Sequence, residues 1–275
     1  MDEKIKEISE DDMKNALKKS GYLLEARIFE LLRKRGWVGK ANETYPSDKT
    51  EICEIDIVAT KIFEAIKGKT RYIFAIQLYC ECKNNHEPIV FFTEHSKYLV
   101  PRFIVTGKKR LASKALYSRE MSVVFKGYED KTVSQYCSFK EKGSGWIAHH
   151  DESHYRSLEH LVNSFFYDVD RWFLDSNRFD IHMPVVILGG RAYYVVDNVE
   201  PVLKPITETS LRFHKVDKVS SRHIAIKVIC ESAFDEYLSM LEKNFKSSIE
   251  KNLGLKLEEL KHKSLTPVSE PDKDK

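Results

Sequence analysis

Glu81, Cys82 and Lys83 close a long apolar run, RYIFAIQLYCECK at 71–83, and set a carboxylate and an ammonium two residues apart. Side chains alternate along a strand, so Glu81 and Lys83 share one face with Gln77 and Tyr79, while Ile76, Leu78, Cys80 and Cys82 share the other. The preceding run, TEICEIDIVAT at 50–60, puts Glu54 and Asp56 on one face and Cys53, Ile55 and Ile57 on the other. A hairpin turning near Lys67-Gly68-Lys69 places Asp56 opposite residue 79 or 80, about 7 Å from Glu81 by the diagonal-neighbour spacing. Two carboxylates so close repel, and one takes up a proton unless a cation lies between them. One or two carboxylates completed by water and a substrate phosphate describe magnesium better than zinc or copper. Lys83 beside them is placed to hold a water and to stabilise charge on a phosphoryl oxygen.

These residues need elements to hold them. From about Asp12 to Arg35 the spacing of Leu17, Leu24, Ile28, Leu31 and Leu32 predicts one amphipathic helix ended by Gly36, with Glu25 on the side shared by Gly21, Ile28 and Leu32. The runs at 50–60 and 71–83 read as an antiparallel hairpin. Residues 84–150 lack sustained periodicity and read as an insertion of loops, a short helix and a small hairpin, with a Gly-Ser-Gly turn at 143–145. A second helix follows from Ser153 to about Asp175 through Leu158, Leu161, Phe165, Phe166, Val169 and Phe173, with Ser153 or Asp151 as its cap. PVVILGGRAYYVVDN (184–198) reads as two strands about Gly189-Gly190, and HIAIKVICE (223–231) as a strand entering a helix through Phe234, Tyr237, Leu238, Leu241 and Phe245. The class is α/β in a single domain at 1–260, with a core at 12–83 and about 153–250, an insertion at about 84–150, and a polar tail at 261–275 expected to be disordered.

The order of a helix Glu, a strand Asp and Glu-x-Lys on the next strand resembles the PD-(D/E)xK nuclease superfamily, and in particular its Mrr-like prokaryotic branch. The matching positions are Glu25, Asp56, Glu81 and Lys83, and the resemblance covers about residues 12–85. It implies the restriction-endonuclease-like fold, a mixed sheet flanked by helices. It also implies a magnesium-dependent nuclease, with manganese as a substitute metal and DNA as the first substrate, RNA second. Asp56, Glu81 and the Cys82 carbonyl are then the metal ligands, Lys83 orients the water, and Glu25 supports the site or a second metal. Acid-x-Lys also occurs at Asp2, Asp12, Glu129 and Glu259, but only Glu81 ends an apolar strand. The departure from the pattern is Ile55 where many members carry Pro.

In a nuclease the phosphate backbone must be held against the metal, and Lys108, Lys109, Arg110 and Lys114 would supply that grip, with Gln77, Asn84, Asn85 and His86 as further substrate contacts. Glu54 is an alternative ligand to Asp56. Bland readings stand beside these: a cross-strand ion pair for the carboxylates and Lys83, a solvated surface for the basic group, and small core residues for Cys53, Cys80 and Cys82. His149, His150, Asp151 and His154 have weak zinc spacing and sit where helix caps gather. A catalytically inactive nucleic-acid-binding or protein-interaction module on the same fold is the rival function, and a homodimer is compatible with either.

The 275 residues carry 45 Lys+Arg against 42 Asp+Glu, a net charge of +3 that names no partner by itself. Five cysteines are too few for a disulfide framework. No apolar stretch approaches the roughly 20 residues of a membrane helix, and MDEKIKEISEDDMKN is too charged for a signal peptide, so a soluble cytoplasmic protein is expected.

Overall fold

A computed structural model of the chain describes residues 8–46, 52–93, 101, 103–107, 132–171, 177–196, 199–216 and 221–260. The N-terminal helical stretch is two helices, α1 (Glu10–Lys19) and α2 (Tyr22–Lys34), where the spacing predicts one. Ser20 and Gly21, both poor in helix interiors, divide them. Ser20 turns extended and its N–H closes the last turn of α1, and Gly21 becomes the N-cap of α2. Leu24, Ile28 and Leu32 of α2 are buried, whereas α1 buries no residue.

Strands β1 (Val38–Pro46), β2 (Ile52–Lys67) and β3 (Thr70–Lys83) form an antiparallel meander. The β2–β3 turn passes through Gly68 at φ 62°, a conformation that costs glycine little. Next come β4 (Ile89–Thr93), β5 (Ile104–Gly107), β6 (Thr132–Lys142), β7 (Gly145–His149) and α3 (Glu152–Arg171). The chain continues through β8 (Arg178–Leu188), β9 (Ala192–Val195), β10 (Leu203–Ile206), β11 (Glu208–Val216), β12 (Ser221–Cys230), α4 (Glu231–Leu253) and β13 (Glu258–Glu259).

One mixed sheet holds these strands in the order β1-β2-β3-β8-β12-β11-β6-β4-β9-β10, with β13 on β2, β5 on β8 and β7 on β6. Strands of the 84–150 segment are thus built into the sheet: β6 lies against β11, β4 between β6 and β9. The basic group Lys108, Lys109, Arg110 and Lys114 and the tail 261–275 lie outside the described residues. Both strands about Gly189-Gly190 are present, but they are not neighbours, because the glycines carry the chain from β8 in mid-sheet to β9 near the far edge.

At the centre, β3, β8 and β12 run parallel, so Lys83, Leu188 and Cys230 end side by side. Carboxyl ends of parallel strands are where open α/β sheets collect ligands. One face of the sheet is covered by α2 and α4, whose Leu24, Ile28, Phe234, Leu238 and Phe245 pack on Ile57, Phe63, Leu78, Cys80 and Cys82. The other is covered by α3, whose Leu161, Phe165 and Phe166 pack on Ile55, Tyr79, Val186 and Ile226. Phe165 meets the Tyr79 ring edge-on at 5.2 Å between centroids.

Beneath α3 runs a buried polar network. Gln77 Nε2 donates to Tyr79 Oη at 2.8 Å and to Asp168 Oδ2 at 3.0 Å, the Tyr79 hydroxyl donates to Asp168, and His182 lies between Tyr79 Oη (3.2 Å) and Thr106 Oγ1 (2.8 Å). Burial, with Arg178 adding to it, pushes the His182 imidazole down to about 3. Folded His182 therefore stays neutral where the unfolded chain, with an imidazole near 6.5, takes up a proton. Its contribution to stability is complete above pH 6.5 and is lost as pH falls toward 3. Comparing His182→Gln with the wild type by urea unfolding, the wild type should lose on the order of 2 kcal/mol more between pH 7 and pH 5. Equal losses in the two proteins would show that His182 does not titrate on unfolding.

Candidate active site

The hairpin pairs Ile57 with Cys80 and Val58 with Tyr79, which brings Asp56 level with Glu81, one or two positions beyond the 79–80 expected from the turn. Alternation also breaks at Asp56. Ile55 packs on the α3 side and Ile57 on the α2–α4 side, although strict alternation assigns both to one face. On β1, between the pairs Ala41–Ile57 and Glu43–Ile55, Asn42 takes φ 55°, so both strands are distorted at this level. In place of a ladder bond, the Cys82 N–H donates to Asp56 Oδ2 at 2.6 Å. The N–H and C=O of one strand residue point to the same edge, so the Cys82 carbonyl also emerges on the Asp56 side.

Lys83 Nζ donates to Glu81 Oε1 at 2.8 Å, with 24% of the Lys83 side chain and 7% of the Glu81 side chain exposed. Glu81 Oε2 is buried and has no hydrogen-bond partner among the described residues. Burial pushes the Glu81 carboxyl up to about 7; Asp56 adds to the rise, and Lys83 and the Ser157 hydroxyl of α3 oppose it. Burial also raises Asp56, against the pull of the Cys82 N–H and Lys83, while Glu54 reinforces it. Glu25, in the first turn of α2, is raised by burial and by Asp56 and Glu54, with Lys83 opposing. Its carboxylate lies so close over Gly21 that an added Cβ there would be 2.8 Å from Glu25 Oε1.

The structure thus brings Glu25, Asp56, Glu81 and Lys83 into one electrostatic group, joined by Glu54. Four carboxyl groups coupled to one another beside one ammonium concentrate acidic groups whose repulsion a divalent cation offsets. Among the described residues no three His, Cys, Asp or Glu side chains form a closed ligand set. Two carboxylates and a backbone carbonyl, leaving the remaining positions to water and phosphate, are the hard-oxygen pattern of magnesium. The unpartnered Glu81 oxygen and the oxygen-only donor set fit that ion.

Three expected substrate contacts have other work. Gln77 is 4% exposed and spends its amide nitrogen on Tyr79 and Asp168. Asn84 Nδ2 donates to the Lys18 and Ser20 carbonyls at 2.9 and 2.7 Å, which fastens the α1–α2 corner to the end of β3. Asn85 bonds the Glu87 carbonyl through Nδ2 (3.0 Å) and accepts the Gly190 N–H at 3.1 Å. Asn84 and Asn85 thus hold backbone turns, and Gln77 joins the network under α3. Cys80 and Cys82 are buried free thiols on the face opposite Glu81, as expected, and burial pushes both thiols up. In the histidine-rich stretch, Asp151 caps α3 by accepting the Ser153 N–H at 2.8 Å, and His149 Nε2 lies 3.3 Å from Ser138 Oγ.

Two residues beside the site are His154, which the sequence offered only as a weak zinc ligand, and Tyr136, which it did not single out. Both line a small pocket with Glu81, Lys83, Leu158 and Val186, and His154 Nδ1 and Tyr136 Oη are buried there without a hydrogen-bond partner among the described residues. For His154 a signal existed: it precedes Ser157, Leu158 and Leu161 at helical spacing, on the stripe that faces the sheet. Tyr136 carried none, since its position depends on β6 reaching this part of the sheet. No family profile, curated protein or solved structure matches the chain.

The raised Glu81 carboxyl has a consequence for stability. Because its folded value exceeds the unfolded one, the protonated form favours folding below about pH 4.5, and that advantage is lost as pH rises through 7. In chelator at pH 8, Glu81→Gln should therefore be more stable than the wild type, on the order of 2 kcal/mol by urea unfolding, with the gain shrinking at pH 5. A variant less stable than wild type at pH 8 would mean that Glu81 is not held against its charge.

Proposed function

We propose that the protein is a magnesium-dependent nuclease that hydrolyses phosphodiester bonds in nucleic acid, DNA first among substrates, on a restriction-endonuclease-like scaffold. The observation that carries this reading is the Asp56 carboxylate bonded to the Cys82 N–H beside the buried Glu81–Lys83 pair, at the carboxyl ends of parallel strands. Asp56, Glu81 and the Cys82 carbonyl would hold the ion. When bound, magnesium supplies Lewis acidity toward a phosphoryl oxygen and lowers the pKa of a water.

The chain's own residues do the rest. Lys83, tied to Glu81, points its ammonium into the site, orients the attacking water and stabilises negative charge that grows on the phosphoryl oxygens. Water oxygen bonds to phosphorus and gives up a proton to solvent, one P–O ester bond breaks, and the leaving oxygen takes a proton from solvent. One product end is a phosphate monoester and the other a hydroxyl. Glu25 and Glu54 deepen the negative potential that draws the cation in and stand outside the reaction itself. Leu158, Val186 and Leu188, in the wall behind Glu81, keep bulk water from its carboxylate.

With plasmid and single-stranded DNA as substrates, cleavage should require magnesium, accept manganese and stop in chelator. Lys83→Ala and Asp56→Ala should each lower the rate by about a hundredfold or more with circular dichroism unchanged. Undiminished cleavage by either folded variant would overturn the assignment.

A further inference from the structure

Lys83 is flanked by two unlike walls. On one side aromatic rings run in a row from the buried pocket to the surface. Phe91 and Tyr136 are 6.3 Å apart between centroids, Tyr136 and His150 5.2 Å, and His150 and Tyr155 5.9 Å, with Phe213 a further 5.7 Å from Tyr155. Phe91 and Tyr136 share the pocket of Glu81 and Lys83, while His150 is exposed and Tyr155 is 45% exposed. Within that pocket, buried Tyr136 Oη and His154 Nδ1 find no hydrogen-bond partner among the described residues.

The second wall is the last turn of α1. Asn84, which directly follows Lys83, holds the Lys18 and Ser20 carbonyls, so Lys18 and Lys19 are anchored at the end of β3. The acidic residues of α1, Glu10, Asp11 and Asp12, lie at its far end. Lys18 and Lys19 are exposed, and neither has an ion-pair partner among the described residues.

A duplex turns its phosphates outward and hides the faces of its bases in the stack, whereas an unpaired strand offers both. Rings beside a reaction centre take base faces, and lysines take phosphates irrespective of sequence. We infer that the site is built for an unpaired stretch of nucleic acid, whose bases stack on Tyr155 and His150 while Lys18 and Lys19 hold its phosphates. This rests on the nuclease reading for what happens to the strand, and stands apart from it for how the strand is bound.

The test is fluorescence anisotropy in chelator. It uses the full-length Asp56→Asn protein and a labelled mixed-sequence DNA oligonucleotide, alone and annealed to its complement. The single strand should bind about tenfold more tightly than the duplex. Tyr155→Leu should remove about that factor for the single strand, Tyr155→Phe should keep it, and thermal melting should show both variants folded. Replacing Lys18 and Lys19 together by Glu should weaken binding and flatten the dependence of log Kd on log salt by about 1 to 2. Equal binding of single strand and duplex, full binding by folded Tyr155→Leu, or no binding at all would overturn the inference. Tight single-strand binding by a wild-type protein that cleaves nothing would remove the nuclease reading and leave this one. Equal cleavage of both DNA forms, indifferent to Tyr155→Leu, would do the reverse.

Discussion

Glu81 is a carboxylate buried beneath α3 with one oxygen on Lys83 and the other without a close hydrogen bond among the described residues, and the rest of the site is arranged around that constraint. An ionised group so placed is costly unless it is neutralised or paired. Here the neighbours make the cost greater, because Asp56 stands level with it across the hairpin and Glu25 and Glu54 lie within electrostatic reach of Asp56. A sheet built only for stability would place an apolar residue at the end of β3. Glu25, Glu54, Asp56 and Glu81 instead leave an excess of acidic groups beside the Lys83 ammonium.

The scaffold makes that strain tolerable. β3 is sandwiched between β2 and β8, and cores lie on both of its faces, so the backbone that carries Glu81 and Lys83 cannot relax away. The break in alternation at Asp56 lets its carboxylate turn across to the Cys82 N–H of β3 instead of outward to solvent. Around this centre, Arg27 clasps Glu231 with two bonds of 2.6 and 2.9 Å, tying α2 to the start of α4, and Asn84 ties the α1–α2 corner to β3. These polar links fix the helix termini that frame the site.

Much of the site was legible because its signals are local. Alternation along 71–83 is enough to put Glu81 and Lys83 on one face and the cysteines on the other. The hairpin turn at Gly68 is enough to bring Asp56 within a few residues of them. What was not legible depends on contacts distant in sequence. The break in alternation at Asp56 goes with a distortion shared with Asn42 of β1, which no pattern within β2 announces. The single predicted N-terminal helix is two because Ser20 and Gly21 interrupt a stripe whose spacing continues across them. β4 and β6 are short runs whose partners, β9 and β11, come some 75 to 100 residues later by sequence, so periodicity alone cannot place them in the sheet. The roles of Asn84, Asn85 and Gln77 in holding backbone and helix likewise become visible only when their partners are in place.

If Asp56 and Glu81 together hold a cation beside Lys83, as proposed, isothermal titration calorimetry with magnesium and manganese, run near pH 7 in two buffers of different ionisation enthalpy, will register it. Saturable binding with proton release is expected, as the cation drives Glu81 to its charged form, with loss of both signals in Glu81→Gln. Binding of the same strength and proton count in that variant, or no saturable binding by the wild-type protein, would contradict it.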